Sequence, residues 1–177
     1  NVETEESTGK RLQAVGVFPH PDYNKEKQQL NDICLIKLSE PVVFTDYIIP
    51  CCLPTVDIQS LSNRELFVAG WGRTENTDTS ATMLEASINV INDSFCTNKF
   101  QQEYNGYPKQ FCGSNFFQSQ SDCNGDSGSP IVYENNGRFQ VVGLVSYGIK
   151  DCGNFNPSVY TNVRFYLDWI KSTVLAN

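Results

Sequence analysis

Short apolar stretches alternate with turn signals along most of the chain, a pattern typical of β-strands. Residues 32–38 and 65–72 predict two strands, the first with a mostly buried middle and the second ending in a tryptophan between glycines. Two further apolar segments, 130–133 and 139–145, flank the sequence Asn135-Asn136-Gly137. Because an Asn-Gly pair tolerates positive φ at both turn positions, these segments predict a hairpin.

The C-terminal segment follows a helical period instead. Its apolar residues are spaced by three and four positions and form one stripe on a helix from about Val163 to Leu175, made of Val163, Tyr166, Leu167, Ile170 and Val174. The sequence therefore predicts an all-β protein with a terminal helix.

The charge balance argues against a nucleic-acid partner. The chain has 13 Lys and Arg against 20 Asp and Glu, a net charge of −7, whereas phosphate binding needs clustered basic residues. No apolar run approaches the roughly 20 residues that span a bilayer, so we expect no membrane partner. The sequence has a single histidine and no Cys-x-x-Cys pair, so we predict neither a metal site nor another cofactor.

The cysteine content is typical of an oxidised extracellular domain. Seven is an odd number, so at least one cysteine is free or pairs outside this chain. A sequon at Asn92-Asp93-Ser94 is compatible with secretion and makes Asn92 a candidate glycosylation site. We expect a secreted, extracellular glycoprotein.

The segment Gly125-Asp126-Ser127-Gly128 is the strongest candidate for chemistry, although alone it also fits a polar turn between strands. Its glycines allow a tight turn and close approach of a substrate, and the amides of Gly125 and Ser127 are placed to bind one oxyanion. A serine nucleophile needs a base, and the base needs an orienting acid. Asp32, which opens an apolar strand, is the candidate acid; its alternative is an ordinary turn aspartate.

These motifs resemble the chymotrypsin-like family of serine endopeptidases. The segments that match in order are 31–38, 52–54, 70–72, 125–130, 146–148 and 157–161. Asp32 and Ser127 are 95 residues apart, against about 93 in the chymotrypsin triad. The segment at residues 41–50 is similar to a segment of arthropod clip-domain proteases.

The resemblance implies two six-stranded antiparallel Greek-key barrels with a C-terminal helix. Residues 1–60 would be the remainder of an incomplete first barrel, 61–162 the second barrel and 163–175 the helix. It also implies a secreted enzyme that hydrolyses peptide bonds of protein or peptide substrates through an acyl-enzyme. Ser127 would be the nucleophile, Asp32 the orienting acid, and Ser146, Tyr147 and Gly148 the strand that binds extended substrate.

The histidine of the triad has no counterpart in the chain. His20 lies 12 residues before Asp32, where the triad separates base and acid by about 45, so we interpret it as a structural residue of a surface loop. We expect about 25–75 residues of the barrel domain, histidine included, to lie outside this chain. The chain would then be a fragment, a nicked product, an incomplete gene product or one half of a two-chain molecule.

The family resemblance also implies the remaining pairings. Asp126 would pair with a new N-terminal amine on activation. Cys96–Cys112 and Cys123–Cys152 would be disulfides, and Cys52 would either tether an N-terminal segment or second chain or remain free. Cys34 and Cys51 have no usual counterpart in the family, and the alternative considered for them is a bridge between two neighbouring strands.

The resemblance also implies a specificity pocket. Ser121 stands at its base in place of the aspartate of trypsin-like members and resembles the chymotrypsin-like members, which take large apolar side chains, but Asp122 stands one place nearer the nucleophile. Gly148 leaves one wall open, while Ser158 narrows the slot. Asp122 either lines the pocket and favours a basic residue weakly before the cleaved bond, or turns away and bonds solvent or backbone.

Two functions remain open at this point. The first is the endopeptidase, with this chain inactive on its own because it lacks the base. The second is a non-catalytic protease homologue that acts as a regulatory or binding protein, which the missing histidine favours and the intact Ser127 and Asp32 disfavour.

Overall fold

The computed structural model describes residues 8–23, 29–62, 64–74, 77–115, 122–149 and 156–177. These residues form eight strands and two α-helices. Their order is β1 (Ala14–Pro19), β2 (Cys34–Leu38), β3 (Glu65–Gly70), β4 (Leu84–Val90), α1 (Asp93–Phe100), β5 (Gln110–Ser114), β6 (Pro130–Asn135), β7 (Arg138–Gly148), β8 (Ser158–Asn162) and α2 (Leu167–Ala176). Short 3₁₀ turns cover Ile58–Leu61, Gln101–Glu103 and Val163–Tyr166.

Six of the strands close into an antiparallel barrel in the order β3-β4-β5-β8-β7-β6. Apolar side chains from alternate positions fill its interior, including Leu66, Val68, Ile88, Phe111, Ile131, Val142 and Tyr160. Alternation of this kind is what a sheet with one buried face requires. The predicted all-β class, with a barrel and a C-terminal helix, is confirmed.

The β6–β7 hairpin turns where the sequence predicts it. Asn136 and Gly137 both adopt positive φ, at 52° and 76°, and Asn135 pairs with Arg138 across the turn. Asn and Gly tolerate this backbone conformation better than other residues. The hairpin matters for function because β6 begins directly after the candidate nucleophile loop.

Strands β1 and β2 form a separate antiparallel pair. One face of this pair is uncovered: Val15, Val17 and Ile36 are 60–64% exposed. The prediction of a mostly buried middle for the strand at 32–38 is therefore wrong beyond Ile33, which is 7% exposed. The sequence pattern is that of a buried strand, but in the described residues no element packs over this face.

The C-terminal stripe is buried only at its beginning. Val163 and Tyr166 are 3% and 1% exposed, within a 3₁₀ turn that precedes α2. Val174, at the other end of the stripe, is 63% exposed because the last turn of α2 extends past the residues that it could contact. Among the described residues, no helix combines the length and the apolar character needed to cross a membrane.

Candidate active site

The predicted nucleophile lies in a tight loop at the start of β6. Gly125 and Gly128 adopt φ of 99° and 83°, a region that favours glycine because it has no Cβ. The loop is closed by the amide of Asp126, which donates to the Cys123 carbonyl at 2.9 Å, and by that of Ser129, which donates to the Asp126 carbonyl at 2.9 Å. Ser127 is exposed at the tip of this loop.

The two amides proposed for the oxyanion differ from their neighbours. Those of Asp126, Gly128 and Ser129 all donate to backbone carbonyls, whereas those of Gly125 and Ser127 donate to no acceptor within the described part of the chain. A backbone N–H without a partner is costly unless it faces solvent or a ligand. Two such donors in one exposed loop are available to bind an oxyanion.

The Asp126 side chain holds the loop from beneath. Its carboxylate is 8% exposed and accepts hydrogen bonds from the amide of Gly72 at 2.8 Å and from that of Cys123 at 3.0 Å. A Cβ added at Gly72 would lie 2.5 Å from this carboxylate, so the close approach depends on glycine. In the described residues, Asp126 forms no ion pair.

Asp32 is positioned from two directions. Its carboxylate Oδ2 accepts a hydrogen bond from Ser146 Oγ at 2.7 Å, and its backbone carbonyl accepts one from Thr161 Oγ1 at 2.9 Å. Oδ1 accepts no hydrogen bond from a residue that the structure describes. The carboxylate is thus fixed by one oxygen and open at the other.

Strand β7 brings the nucleophile loop and Asp32 to the same place. Val145 exchanges backbone hydrogen bonds with the loop, accepting from Gly128 at 2.8 Å and donating to Ser129 at 3.0 Å. The next residue, Ser146, holds Asp32. The backbone of the loop that carries Ser127 and the carboxylate of Asp32, 95 residues before it in sequence, are therefore bonded by consecutive residues of one strand.

Among the residues that the structure describes, no strand pairs with one edge of β7 at residues 146–148. Pairing with β6 ends at Leu144, whereas pairing with β8 continues through Gly148 and Ser158. The Tyr147 ring packs edge-on against Phe100, with centroids 5.5 Å apart, and its hydroxyl donates to the Glu103 carbonyl. An open edge beside a nucleophile is where an extended peptide can add as a strand.

The Asp122 carboxylate is buried and accepts a hydrogen bond from a side chain. It is 8% exposed, and its Oδ1 accepts a hydrogen bond from the Tyr160 hydroxyl at 2.6 Å. Burial raises the pKa of Asp122, while hydrogen bonds from Tyr160 and Ser158 act in the opposite direction. The hydroxyl of Ser158 also lies 2.8 Å from where a Cβ at Gly148 would be.

His20 lies against the C-terminal helical segment. Its ring centroid is 5.4 Å from that of Tyr166 and 5.1 Å from that of Trp169, and its Nδ1 accepts from the amide of Asp22 at 3.2 Å. Burial lowers the pKa of His20, and Asp22 raises it in part. These contacts fit a structural side chain.

The cysteines divide into bonded and free groups. The Cys96–Cys112 disulfide is present, as predicted. Cys123 is also disulfide-bonded, but its predicted partner Cys152 and the predicted pocket residue Ser121 lie outside the described residues. Cys34, Cys51 and Cys52 are free and exposed, so the expected Cys34–Cys51 bridge is wrong: Cys34 lies on β2, whereas the Cys51 thiol donates to the Phe139 carbonyl at 3.1 Å on β7.

Asn92 caps α1, and its side-chain oxygen accepts from the amide of Ser94 at 2.8 Å. The residue is exposed. Its role as a glycosylation site stays a prediction.

Three residues of the site were not assigned from sequence. Thr161 and Tyr160 lie in the matched segment 157–161, and Gly72 lies in 70–72, but their partners are distant in sequence. Thr161 binds Asp32, Tyr160 binds Asp122 and Gly72 binds Asp126, and only the tertiary structure brings these three pairs together.

Comparison with known proteins finds similarity to serine proteases and related enzymes of insects. A family model described as Trypsin matches residues 1–170. Melanization protease 1 of Drosophila melanogaster is 39% identical over 169 residues, covering 90% of this chain and 42% of that protein. CLIP domain-containing serine protease B15 of Anopheles gambiae is 37% identical over 164 residues, covering 89% and 45%. The phenoloxidase-activating enzyme of Bombyx mori is 36% identical over 171 residues, covering 89% and 38%. The chain thus spans less than half the length of these relatives.

Proposed function

Because the chain belongs to the trypsin family of chymotrypsin-like serine proteases, we propose that it forms the nucleophile-bearing part of an extracellular serine endopeptidase. The observation that carries the proposal is that two consecutive residues of β7 bond the nucleophile loop and Asp32. Val145 holds the nucleophile loop and Ser146 holds Asp32. The amides of Gly125 and Ser127, which bond no described residue, lie in the same exposed loop as Ser127 and are available to bind an oxyanion.

The reaction is acyl transfer from a peptide bond. The Ser127 hydroxyl attacks the carbonyl carbon while its proton passes to a histidine, and the amides of Gly125 and Ser127 bind the oxyanion. The histidine then protonates the leaving amine as the C–N bond breaks, leaving an acyl-enzyme on Ser127. Water, deprotonated by the same histidine, releases the acid product and restores the serine.

The histidine would come from a segment outside this chain. The uncovered face of β1 and β2, with Val15, Val17 and Ile36 exposed, is apolar enough to be covered by further strands of a first barrel. Asp32 Oδ1, which bonds no described residue, is the oxygen available to receive an imidazole N–H. We call this chain together with that segment the completed enzyme, and Cys52, exposed and free here, is the proposed tether.

Asp126 would bind the N-terminal amine that activation creates. Its carboxylate already accepts two amide hydrogen bonds, but a carboxylate offers about four acceptor positions, so an ammonium group can be added. A buried carboxylate is stabilised strongly by a cation and is unfavourable without one. The absence of an ion pair at Asp126 within the described ranges supports this assignment.

Asp122 would set the preference for the residue before the cleaved bond. Its contacts with Tyr160 and Ser158 keep the carboxylate buried beside Gly148, which argues against the alternative in which it bonds only solvent or backbone. Because the two hydroxyls already share its charge, we propose a preference for Arg or Lys that is weaker than that of a trypsin-like pocket. Ser146, Tyr147 and Gly148 would bind the residues preceding it as an added strand.

The completed enzyme, expressed from the full coding sequence and activated, is tested with an active-site serine label and with Arg and Phe ester substrates. We expect stoichiometric labelling at Ser127 that Ser127→Ala abolishes, and an Arg preference that Asp122→Ser removes. Residues 1–177 alone should label slowly, because without a base only about 10³–10⁴-fold catalysis over water remains. Failure of the completed enzyme to label or turn over esters would refute the proposal.

A second candidate is a non-catalytic homologue that binds or regulates other proteins. It is favoured by one observation, that the only histidine of this chain packs against Trp169 rather than beside Ser127. Coding sequence upstream of Asn1 distinguishes the two. A segment with a histidine followed by cysteine supports the enzyme, and its replacement supports the homologue.

A further inference from the structure

The residue before Asp32 is a buried asparagine with a left-handed backbone. Asn31 is 6% exposed and its φ is 58°, in a region that asparagine tolerates better than most residues. Its carbonyl accepts a hydrogen bond from the Ile33 amide at 2.9 Å, which closes a three-residue turn with Asp32 at its centre. The backbone of Asn31 therefore takes part in setting the direction in which the Asp32 side chain leaves the chain.

The Asn31 side chain bonds three segments of the molecule. Its Nδ2 donates to the Asp22 carbonyl at 2.7 Å, in the turn after β1. Its Oδ1 accepts from Lys109 Nζ and from the Tyr166 hydroxyl, both at 3.2 Å, and these residues are 78 and 135 positions away in sequence. The contacts use both acceptor positions of the amide oxygen and one donor of the NH₂ group. An aspartate could not replace this asparagine, because the Asp22 carbonyl needs a donor.

The partners of this asparagine are themselves held in place. Lys109 Nζ lies 5.6 Å from the centroid of the Phe165 ring, where the ring attracts its charge. Tyr166 is 1% exposed, and the His20 ring packs edge-on against it. The three side-chain contacts therefore tie the turn around the candidate acid to packed parts of the molecule.

The bonds to Asp32 itself do not set where its Oδ1 lies. Ser146 bonds Oδ2 and Thr161 bonds the backbone carbonyl. Because the last torsion of an aspartate side chain has a broad energy minimum, a carboxylate held at one oxygen can still turn about that bond. The place of Oδ1 then depends on the position of the Asp32 Cα, which the turn at Asn31 fixes.

We propose that Asn31 is a positioning residue that holds Asp32 in the orientation required by the catalytic histidine. The inference rests on the proposed endopeptidase function and adds a residue that acts only through Asp32. Catalytic groups must stay within about 0.5 Å of their productive geometry, and they do so when neighbouring hydrogen bonds lock them. A displacement of about 1 Å can lower the rate about 100-fold.

Ester hydrolysis by the completed enzyme over a range of pH tests this role. Asn31→Gly keeps the left-handed backbone accessible and removes the three side-chain contacts. We expect kcat to fall about 10–100-fold, with KM within about twofold of the parent value, because the residues proposed to bind substrate are unchanged. The acidic limb of the kcat/KM profile should move to lower pH, because the protonated histidine loses part of the stabilisation that Asp32 supplies.

Two further variants separate positioning from a general effect on folding. Tyr166→Phe removes one contact to Asn31 and keeps the ring, so it should lower kcat about threefold and move the acidic limb in the same direction. Gln140→Ala is the matched control. Gln140 is another buried amide side chain, 6% exposed, and its Oε1 accepts from the Thr55 amide at 2.8 Å near the start of β7. Its loss should lower stability in urea unfolding and leave kcat and the acidic limb unchanged.

An Asn31→Gly variant that is less stable but keeps the parental kcat and pH profile would overturn this inference, because the side chain would then serve folding alone. The same effects in Gln140→Ala would overturn it too. If Asn31→Gly does not fold, Tyr166→Phe decides, and a parental kcat and acidic limb in that variant would refute the role. Absence of ester turnover by the parent enzyme would overturn the proposed function and this inference with it.

Discussion

Replacing Asp126 with asparagine tests the support beneath the nucleophile loop. The two carboxylate oxygens each accept one buried amide, from Gly72 at 2.8 Å and from Cys123 at 3.0 Å. The asparagine oxygen can accept only one of them, and its NH₂ then faces the other N–H. A hydrogen bond to a charged acceptor contributes about 1.5–3 kcal/mol, and an unsatisfied buried donor costs about 1–3 kcal/mol.

These two energies cannot be added in full, because the loss of a hydrogen bond already includes the cost of leaving its donor unsatisfied. Removing a buried charge also recovers part of its desolvation cost, which opposes the loss. We therefore expect Asp126→Asn to lower the free energy of unfolding of the completed enzyme by about 2–4 kcal/mol before activation, when no new N-terminal amine is bound to Asp126. After activation, labelling of Ser127 should slow as well, because both the amide contacts and the proposed ammonium contact are weakened.

Urea unfolding of the completed enzyme, followed by tryptophan fluorescence, gives the free energy of unfolding. Asp78→Asn is the matched control, because it removes a carboxylate that is fully exposed and only 3.9 Å from its partner, and it should leave the midpoint unchanged. An Asp126→Asn variant as stable as the parent, with normal labelling, would show that the two amide contacts do not hold the loop.

Three further results are expected. In the completed enzyme, His20→Gln should leave kcat for ester hydrolysis within about twofold of the parent value. The substitution should lower the stability modestly, because the ring packing on Trp169 is lost. A fall in kcat of about 10⁴-fold would identify His20 as the base. Burial raises the pKa of Asp122 above its usual value of 3.8, so the parent protein loses stability as the pH rises through the folded-state pKa and Asp122 ionises. In urea unfolding, the free energy of unfolding of Asp122→Asn should therefore increase relative to that of the parent as the pH rises. A difference that stays constant or shrinks would contradict a buried carboxylate. Peptide mapping of non-reduced protein should link Cys123 to Cys152, and linkage to any other cysteine would contradict the fold around the loop.

The sequence was most informative where a local rule decides the structure. Asn136 and Gly137 form the predicted hairpin turn because few other residues tolerate positive φ. Gly125 and Gly128 bend the nucleophile loop for the same reason. The resemblance, carried by six ordered motifs, then supplied the barrel and the Cys96–Cys112 disulfide.

The sequence misled where burial depends on what lies opposite. Ile36 stands in an apolar strand but is 60% exposed, because a strand pattern reports the capacity to be buried and not the presence of a covering layer. Val174 shows the same limit at the end of α2. A bridge between Cys34 and Cys51 was one alternative, yet both remain free: Cys34 lies on β2, whereas Cys51 lies outside the strands and contacts Phe139 of β7.

What the sequence determined by itself is the set of chemical groups and the local turns that present them: an exposed serine between glycines, and an aspartate at the start of a strand. Only the tertiary structure decided which atoms remain available. It shows that Asp32 is held through Oδ2, that Oδ1 of Asp32 and the amides of Gly125 and Ser127 bond no residue in the described ranges, and that Asp122 bonds Tyr160. These are contacts between residues far apart in the chain, and they follow from the order of strands in the barrel, which no local pattern of residues encodes.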